Sequence, residues 1–556
     1  MPMRDILTAL RERAADGRGD IFCHFRSRGA ETVITSADLL AQAGRFARML
    51  DAAGVESGAH VAIILKHSPD LYAAFLGCML RRCVPSFLAF PSSKQDPAVY
   101  WPSHQTLFVQ SGISGVITFA ENEPLIRGFC PGVQVLTPDD LPDTEALVEI
   151  PQVSPDAIAF VQYSSGTTSL KKGVSLSFDA VSQQVERYAE ALRLRPDDVI
   201  VSWLPLYHDM GLIACFLLPL LTGTPIVSLD AFEWVAEPRS LFDVIEAHRG
   251  TLTWLPNFAF HHLVRAIPPD ERRDLSGMRA FIDCSEPCQA ATFDLFGSHF
   301  AASGVGRRQL TVCYAMAETV FAVSQTPIGE AVEALALDAE ALSRGRIVLA
   351  APGSTTPSQR LLSAGRPIRD AQVRIVGDDG RVLAEDLVGE ISIEAPFMFD
   401  GYHRRPDLTA EHLRGGWHHT GDLGFLHGGQ LYVLGRKDDL LILNGRNIYA
   451  HDVELALNRS VAGIKAGRCI ALGVADATVG SQELVIVAEM DSREPGVDRL
   501  AARAVRKAIL DNFGFLPKEV KLVGQGWLVK TTSGKISRAQ NLSKYMSQRT
   551  AEPTTS

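Results

Sequence analysis

The stretch YSSGTTSLKKG, Tyr163 to Gly173, gathers hydroxyls, glycines and two lysines just after the apolar run AIAF. Residues of these types suit an anion. Gly166 and Gly173 free backbone N–H groups, the hydroxyls of Ser164, Ser165, Thr167 and Thr168 donate hydrogen bonds, and Lys171 and Lys172 add positive charge. The spacing is not that of the common G-x-x-x-x-G-K-[ST] phosphate loop, and the following GVSLS reads as a strand, so no helix dipole adds to the field. The pattern predicts a strand-turn-strand hairpin able to cover a nucleotide triphosphate. The alternative is a solvent-exposed polar turn, which Ser, Thr and Gly clusters also form.

Thiol chemistry is poorly supported. The nine cysteines are scattered, and the close pair Cys284 and Cys288 has no second pair to complete a metal site. They read as thiols of a reducing compartment, and MPMRDILTALRERAADGRGD reads as an amphipathic helix with no apolar signal core, so a cytoplasmic protein is expected. A formal net charge of -10 argues against general phosphate neutralisation, hence against nucleic acid as a partner. From Asp438 onward there are 16 Lys and Arg against 13 Asp and Glu, which leaves -13 for the preceding 437 residues. A slightly basic tail on an acidic body hints at an acidic partner, with compositional scatter as the plain alternative.

The elements that would hold such a loop follow from periodicity. HVAIIL, SGVIT, AIAFVQY, DVIVSWLP and GTLTWLP alternate with helical stretches such as PDLYAAFLGCMLRR, the pattern of β/α units with mostly parallel strands. Met210 to Leu229 is uncharged and long enough for a bilayer, but Pro219, Gly223 and Pro225 break it into a buried helix and a short strand, so no transmembrane segment is expected. After Ser363 the texture alternates around Asp-Asp-Gly, predicting antiparallel strands or a small barrel. Past YVLGRKDDLLILNG a compact α+β segment is expected, with helices near 451–457 and 497–512, a strand ELVIVAEM, and a disordered tail SQRTAEPTTS. A chain of 556 residues requires more than one domain. We divide it at 1–435, a hinge at 436–439, and 440–556.

Four further stretches follow the loop in order: YAMAE (314–318), GWHHTGDLG (416–424), GRKDDLLILNGRNI (435–448) and KTTSGKISR (530–538). Together, from about Gly54 to Lys535, they resemble the ANL superfamily of adenylate-forming enzymes, with Ser169 where glycine is usual and Lys171 where proline is usual. LPLYHDMGLI (204–213), LPNFAF (255–260), FIDCSEPCQAATFDLF (281–296) and NGRNI (444–448) resemble the fatty acyl-AMP ligase branch. So does the long stretch Thr326 to Ser363, where an insertion in that branch restrains the C-terminal domain and disfavours CoA. Glu237 departs from an arginine often seen there, and 90–107 matches no pattern we can assign.

The resemblance implies an α/β fold: a large N-terminal domain of β/α subdomains with a small barrel-like subdomain, then a smaller, mobile α+β lid. It also implies roles. A carboxylate is a poor electrophile, so acylation needs a mixed anhydride, and ATP supplies the AMP half; all reactants are anionic, so catalysis is positioning and charge neutralisation. Lys535 would bridge the substrate carboxylate and the α-phosphate. Glu318 and Thr167 would anchor Mg²⁺. Ser164, Ser165, Gly166, Thr168 and Lys172 would hold phosphates, and Tyr314, Met316, Ser285, Glu286 and Pro287 would line the adenine. Asp422 would accept both ribose hydroxyls with Arg436 beside it, His208 would gate the acyl tunnel, and Asp438 would be the hinge. The implied substrate is a medium or long chain fatty acid, passed to the phosphopantetheine of an acidic acyl carrier protein. The alternatives are transfer to CoA, or a non-catalytic protein that binds an acyl-adenylate or a partner.

Overall fold

The computed structural model describes residues 4–16, 20–91, 97–143, 149–163, 171–351, 358–443, 446–476, 481–491, 495–530 and 536–551. Ser164, Ser165, Gly166, Thr167, Thr168 and Lys535 therefore lie outside the described residues.

A nine-stranded sheet organises the large domain. Its middle runs parallel through 310–315, 280–283, 252–255, 200–202, 226–228 and 21–27, and its edges are closed by antiparallel strands 30–35, 322–325 and 366–367. The strands 200–202, 226–228, 252–255 and 280–283 are buried along their whole length and mostly apolar, with Ser202, Ser228, Thr253 and Asp283 as buried polar exceptions. A second, all-parallel sheet follows the order 84–87, 60–64, 113–118, 134–136. Strand Ile158–Tyr163 joins neither; it pairs antiparallel with Gly173–Ser177, which pairs in turn with Gly401–Tyr402. The hairpin expected around the loop is thus present, and its flanking strands belong to a separate small sheet.

Residues 210–220 and 226–229 are buried, as their apolar runs demand, and the chain surfaces between them at Thr222 and Gly223. Leu218 N–H reaches Ile213 O, an i to i-5 bond of π-helical spacing, and Gly223 at φ 79° ends the following helical turn. Among the described residues no helix is long and apolar enough to cross a membrane.

Beyond Ser363 the alternating texture yields a five-stranded antiparallel sheet of 372–376, 389–394, 417–427, 413–414 and 430–436. The smaller C-terminal domain has a three-stranded sheet, 464–476, 481–490 and 519–523, with an apolar layer on each face: Val453, Leu457, Val505 and Ile509 on one, Ile470, Leu472, Val487 and Tyr545 on the other. The expected disordered tail is corrected in part, since helix Arg538–Ala551 takes in its first residues, and buried Tyr545 anchors that last helix. Arg538 is pinned on three sides, donating to Asp439 Oδ1 (2.8 Å), to Glu454 and to Ala471 O (2.6 Å).

Within the stretch from Thr326 to Ser363, strand Ala334–Asp338 pairs antiparallel with strand Ser358–Leu362. Leu335, Leu337 and Leu342 pack with Phe425, Tyr432, Leu434 and Tyr449, and Gln359 Nε2 donates to Asp452 Oδ1 at 3.1 Å. This segment therefore touches chain on both sides of 436–439.

Candidate active site

Tyr314 ends a central strand and Asp422 lies in the long antiparallel strand Trp417–His427; the fold brings the Tyr314 hydroxyl to Asp422 Oδ2 at 2.6 Å. Arg436 is the cross-strand partner of Asp422, with Nε 3.4 Å from Oδ1. The strand has an irregular register at Leu423/Gly424, and Gly421 at φ 72° turns the backbone so that Thr420 Oγ1 can accept the Asp422 N–H at 3.0 Å. Burial pushes the Asp422 carboxyl above its usual range, although Arg436 and the Tyr314 hydroxyl pull the other way. Desolvation opposes the Arg436 cation, but Asp422 and Glu318 outweigh it and hold its pKa up.

Glu318 belongs to the same cluster through its neighbours. Its Oε1 accepts the Tyr402 hydroxyl at 2.8 Å, and its carbonyl accepts the Phe399 N–H at 2.9 Å. The backbone just beyond it is strained. Val320, fully buried, sits at φ 62° and ψ -53°, with Phe321 N–H bonded to Thr319 O at 2.6 Å: a γ-turn of the rare hand, with a β-branched residue at its centre. Strain of about 1–3 kcal/mol persists only where surroundings enforce it, and here it fixes the turn that presents Glu318.

Lys172 leaves the hairpin toward this cluster, with Nζ 5.2 Å from the Tyr402 ring centroid and 3.2 Å from His412 Nε2. Lys171 does not; burial lowers its pKa to about 8, and its charge is felt by buried His104 of helix Pro97–Ser111. The two lysines read together as one charge source therefore face different surroundings. Beneath the hairpin, Gly173 has no room for a side chain: a Cβ there would lie 2.9 Å from Val161 and 3.1 Å from Tyr163.

A second group forms at the carboxyl end of strand Ala280–Asp283, where ligands of open α/β sheets bind. Ser285, at φ 70°, reaches Met210 Sδ with its hydroxyl at 3.9 Å. Met210 is flanked by Asp209, whose Oδ1 lies 3.3 Å from His208 Nδ1, so the YHDMG segment abuts the Ser285 turn. Gln162 Nε2, beside the hairpin's first strand end, donates to Tyr207 O at 3.5 Å. Glu286 is committed elsewhere, accepting the Phe258 N–H at 3.1 Å, and Pro287 is exposed. Met316 N–H donates to Phe321 O, which places Met316 at the entrance of the strained turn. Asp438 is exposed in a 3₁₀ turn, Lys437–Asp439.

Sequence reading did not single out Tyr402, His412 or Thr420, each a direct partner of a site residue. Thr420 stands two residues before Asp422 in GWHHTGDLG, and that adjacency was the available signal. Tyr402 lies 84 residues from Glu318, and no periodicity links them.

Known proteins share this fold. The model of the AMP-binding enzyme family matches residues 10–403, and that of the Disco-interacting protein 2-like AMP domain matches 438–554. The medium-chain-fatty-acid [acyl-carrier-protein] ligase JamA of Moorena producens is 32% identical over 71% of this chain and 69% of its own. The long-chain-fatty-acid AMP ligase FadD32 of Mycolicibacterium smegmatis is 29% identical over 88% of this chain and 85% of its own. A solved structure from a study of fatty acyl-adenylate ligases from E. coli and L. pneumophila superposes with a TM-score of 0.91 at 27% identity, over 99% of this chain and 100% of that one. With its fold and most of its length accounted for in this way, the chain belongs to the AMP-binding enzyme family of the adenylate-forming ANL superfamily.

Proposed function

We propose that the protein is an ATP-dependent fatty acid ligase that forms an acyl-adenylate and passes the acyl group to the phosphopantetheine thiol of an acidic acyl carrier protein. A carboxylate oxygen of the fatty acid attacks the α-phosphorus of ATP, the bond to the β,γ-diphosphate breaks, and pyrophosphate leaves. The carrier thiol, giving up its proton, then attacks the acyl carbon and AMP leaves. Asp422 accepts the ribose hydroxyls, positioned by Tyr314 and Arg436. Tyr314 packs beside the adenine with Met316, and the turn of Ser285, Glu286 and Pro287 lines it. Lys172, with the hydroxyls and N–H groups of Ser164 to Thr168, neutralises phosphate charge, and Lys535 bridges the two anionic reactants.

The carboxylate of Glu318, oriented by the Tyr402 hydroxyl, is a hard oxygen donor, which fits Mg²⁺; with Thr167 it would hold the ion, which when bound supplies charge neutralisation at the phosphates. His208 gates the acyl chain, and Asp438 is the hinge between 1–435 and 440–556. The nine free thiols fit a cytoplasmic protein.

The observation that carries the choice of acceptor is the strand pair 334–338 and 358–362, which packs on Tyr449 and bonds Asp452 through Gln359. A C-terminal domain restrained there has less freedom to admit free CoA than to accept a protein-borne thiol. The test offers a fatty acid panel with ATP, first in pyrophosphate exchange, then with holo carrier protein or free CoA as acceptor. Exchange with medium or long chain acids and thioester on the carrier alone is the expected result. Equal turnover with CoA would reassign the acceptor, and absence of exchange across the panel would leave a binding protein.

A further inference from the structure

On the far edge of the nine-stranded sheet, three side chains from separate segments converge. His24 lies in strand Ile21–Ser27, Glu31 in the edge strand Ala30–Thr35, and His248 is the last residue of helix Ser240–His248. His24 Nδ1 is 3.0 Å from Glu31 Oε1, and His248 Nε2 is 3.1 Å from Glu31 Oε2. The two imidazole rings lean together with centroids 4.5 Å apart. None of the three belongs to the nucleotide cluster, and no step of the proposed reaction uses them. We propose that His24, Glu31 and His248 form a binding site for one first-row transition-metal dication, with Zn²⁺ the best fit.

The chemistry of the donors points to that class. Two neutral imidazole nitrogens and one carboxylate oxygen suit Zn²⁺, Co²⁺ or Ni²⁺, whereas Mg²⁺ and Ca²⁺ prefer all-oxygen sets. The three ligand atoms lie within 4.8 Å of one another. Bonds of about 2.1 Å in a tetrahedral site put ligand atoms about 3.4 Å apart, so only small side-chain shifts are needed. The side chains are 21%, 32% and 18% exposed, which leaves room for water at the fourth position.

Position adds to the case. His248 stands at a helix C-terminus, where the negative end of the helix dipole favours a cation. One neighbour opposes it: Arg26, opposite Glu31 in the hairpin register, brings Nε to 3.9 Å from Oε2. Bound metal would staple the exposed edge strand to the helix, a structural task.

The opposing arginine makes the test specific. The full chain, freed of metal by chelation and dialysis, is titrated with Zn²⁺ against a chromophoric chelator and with Co²⁺ followed by its visible ligand-field absorption. We expect one equivalent bound, with a rise in melting temperature. Affinity should fall by about 100-fold in His248→Ala and in Glu31→Gln, and should rise in Arg26→Ser, which removes the competing cation. Adenylation should be unchanged in all three. If no equivalent binds, the cluster is an ion-paired latch only; if the equivalent survives in His24→Ala/His248→Ala, the metal sits elsewhere. Either result overturns the proposal. Should the histidine variants fail to fold, the opposite responses of Glu31→Gln and Arg26→Ser decide it.

Discussion

Asp422→Asn preserves the shape of the side chain, removes its charge and turns one acceptor oxygen into a donor. In the wild-type chain Oδ2 takes the Tyr314 hydroxyl at 2.6 Å and Oδ1 faces Arg436 Nε at 3.4 Å, so both oxygens are oriented before nucleotide arrives. A hydrogen bond to a charged group contributes about 1.5–3 kcal/mol. Loss of one charge-assisted ribose contact should therefore lower kcat/KM for ATP by roughly 10- to 150-fold. Two effects on stability oppose each other: the buried carboxylate no longer pays desolvation, and Arg436 loses its nearest partner while keeping the field of Glu318. The melting temperature should accordingly move little. Tyr314→Phe deletes the hydroxyl alone, and if it acts by orienting Asp422, the two substitutions must be non-additive. Their coupling should exceed about 0.5 kcal/mol, the range within which independent sites add. Pyrophosphate exchange at varied ATP, with a thermal melt of each variant, reads both quantities. A folded Asp422→Asn enzyme within twofold of wild type, or strict additivity with Tyr314→Phe, refutes the ribose assignment and the positioning role respectively.

Lys535→Ala should abolish adenylate formation while leaving ATP affinity nearly intact; equilibrium binding and exchange measured on one preparation separate the two, and wild-type exchange contradicts the role. Burial lowers the His60 pKa from its usual 6.5 to about 4; Nδ1–H donates to Ser111 O (3.1 Å) and Nε2 pairs with Ser86 Oγ (2.6 Å). Because the folded state favours the neutral ring, that stabilisation is complete above pH 6.5 and is lost as pH falls toward 4, about 3 kcal/mol in all. Denaturant titrations across this window should show a shallower acid branch in His60→Gln, and an unchanged branch would place the proton uptake elsewhere. Gly211→Ala drives a Cβ to 2.3 Å from Pro205 O, a backbone atom that cannot step aside. It should cost about 1–3 kcal/mol and, by displacing His208, should reduce turnover of fatty acid more than affinity for ATP; equal effects on both would separate His208 from the acyl chain.

Periodicity and composition alone determined the parallel β/α units, the broken helix at 210–222, the antiparallel strands after Ser363 and the α+β character of the last segment. These are short-range properties: strand and helix periods, Gly and Pro punctuation and apolar runs act within a few residues. The motif residues were legible for the same reason, since each motif is contiguous. What the residues meet was decided by tertiary structure. Tyr314 and Asp422 are 108 residues apart, Glu318 and Tyr402 84, and Lys172 and His412 240. Sheet order and crossovers set those meetings, and no local pattern encodes them. Lys171 and Lys172 are neighbours of one chemical type, yet a single step along the chain turns one inward toward His104 and the other toward Tyr402. The trio of His24, Glu31 and His248 shows the same limit. A histidine on a strand and another at a helix end carry no mutual signal until packing brings the helix onto the hairpin, because a ligand set is a property of distance in space rather than distance along the chain.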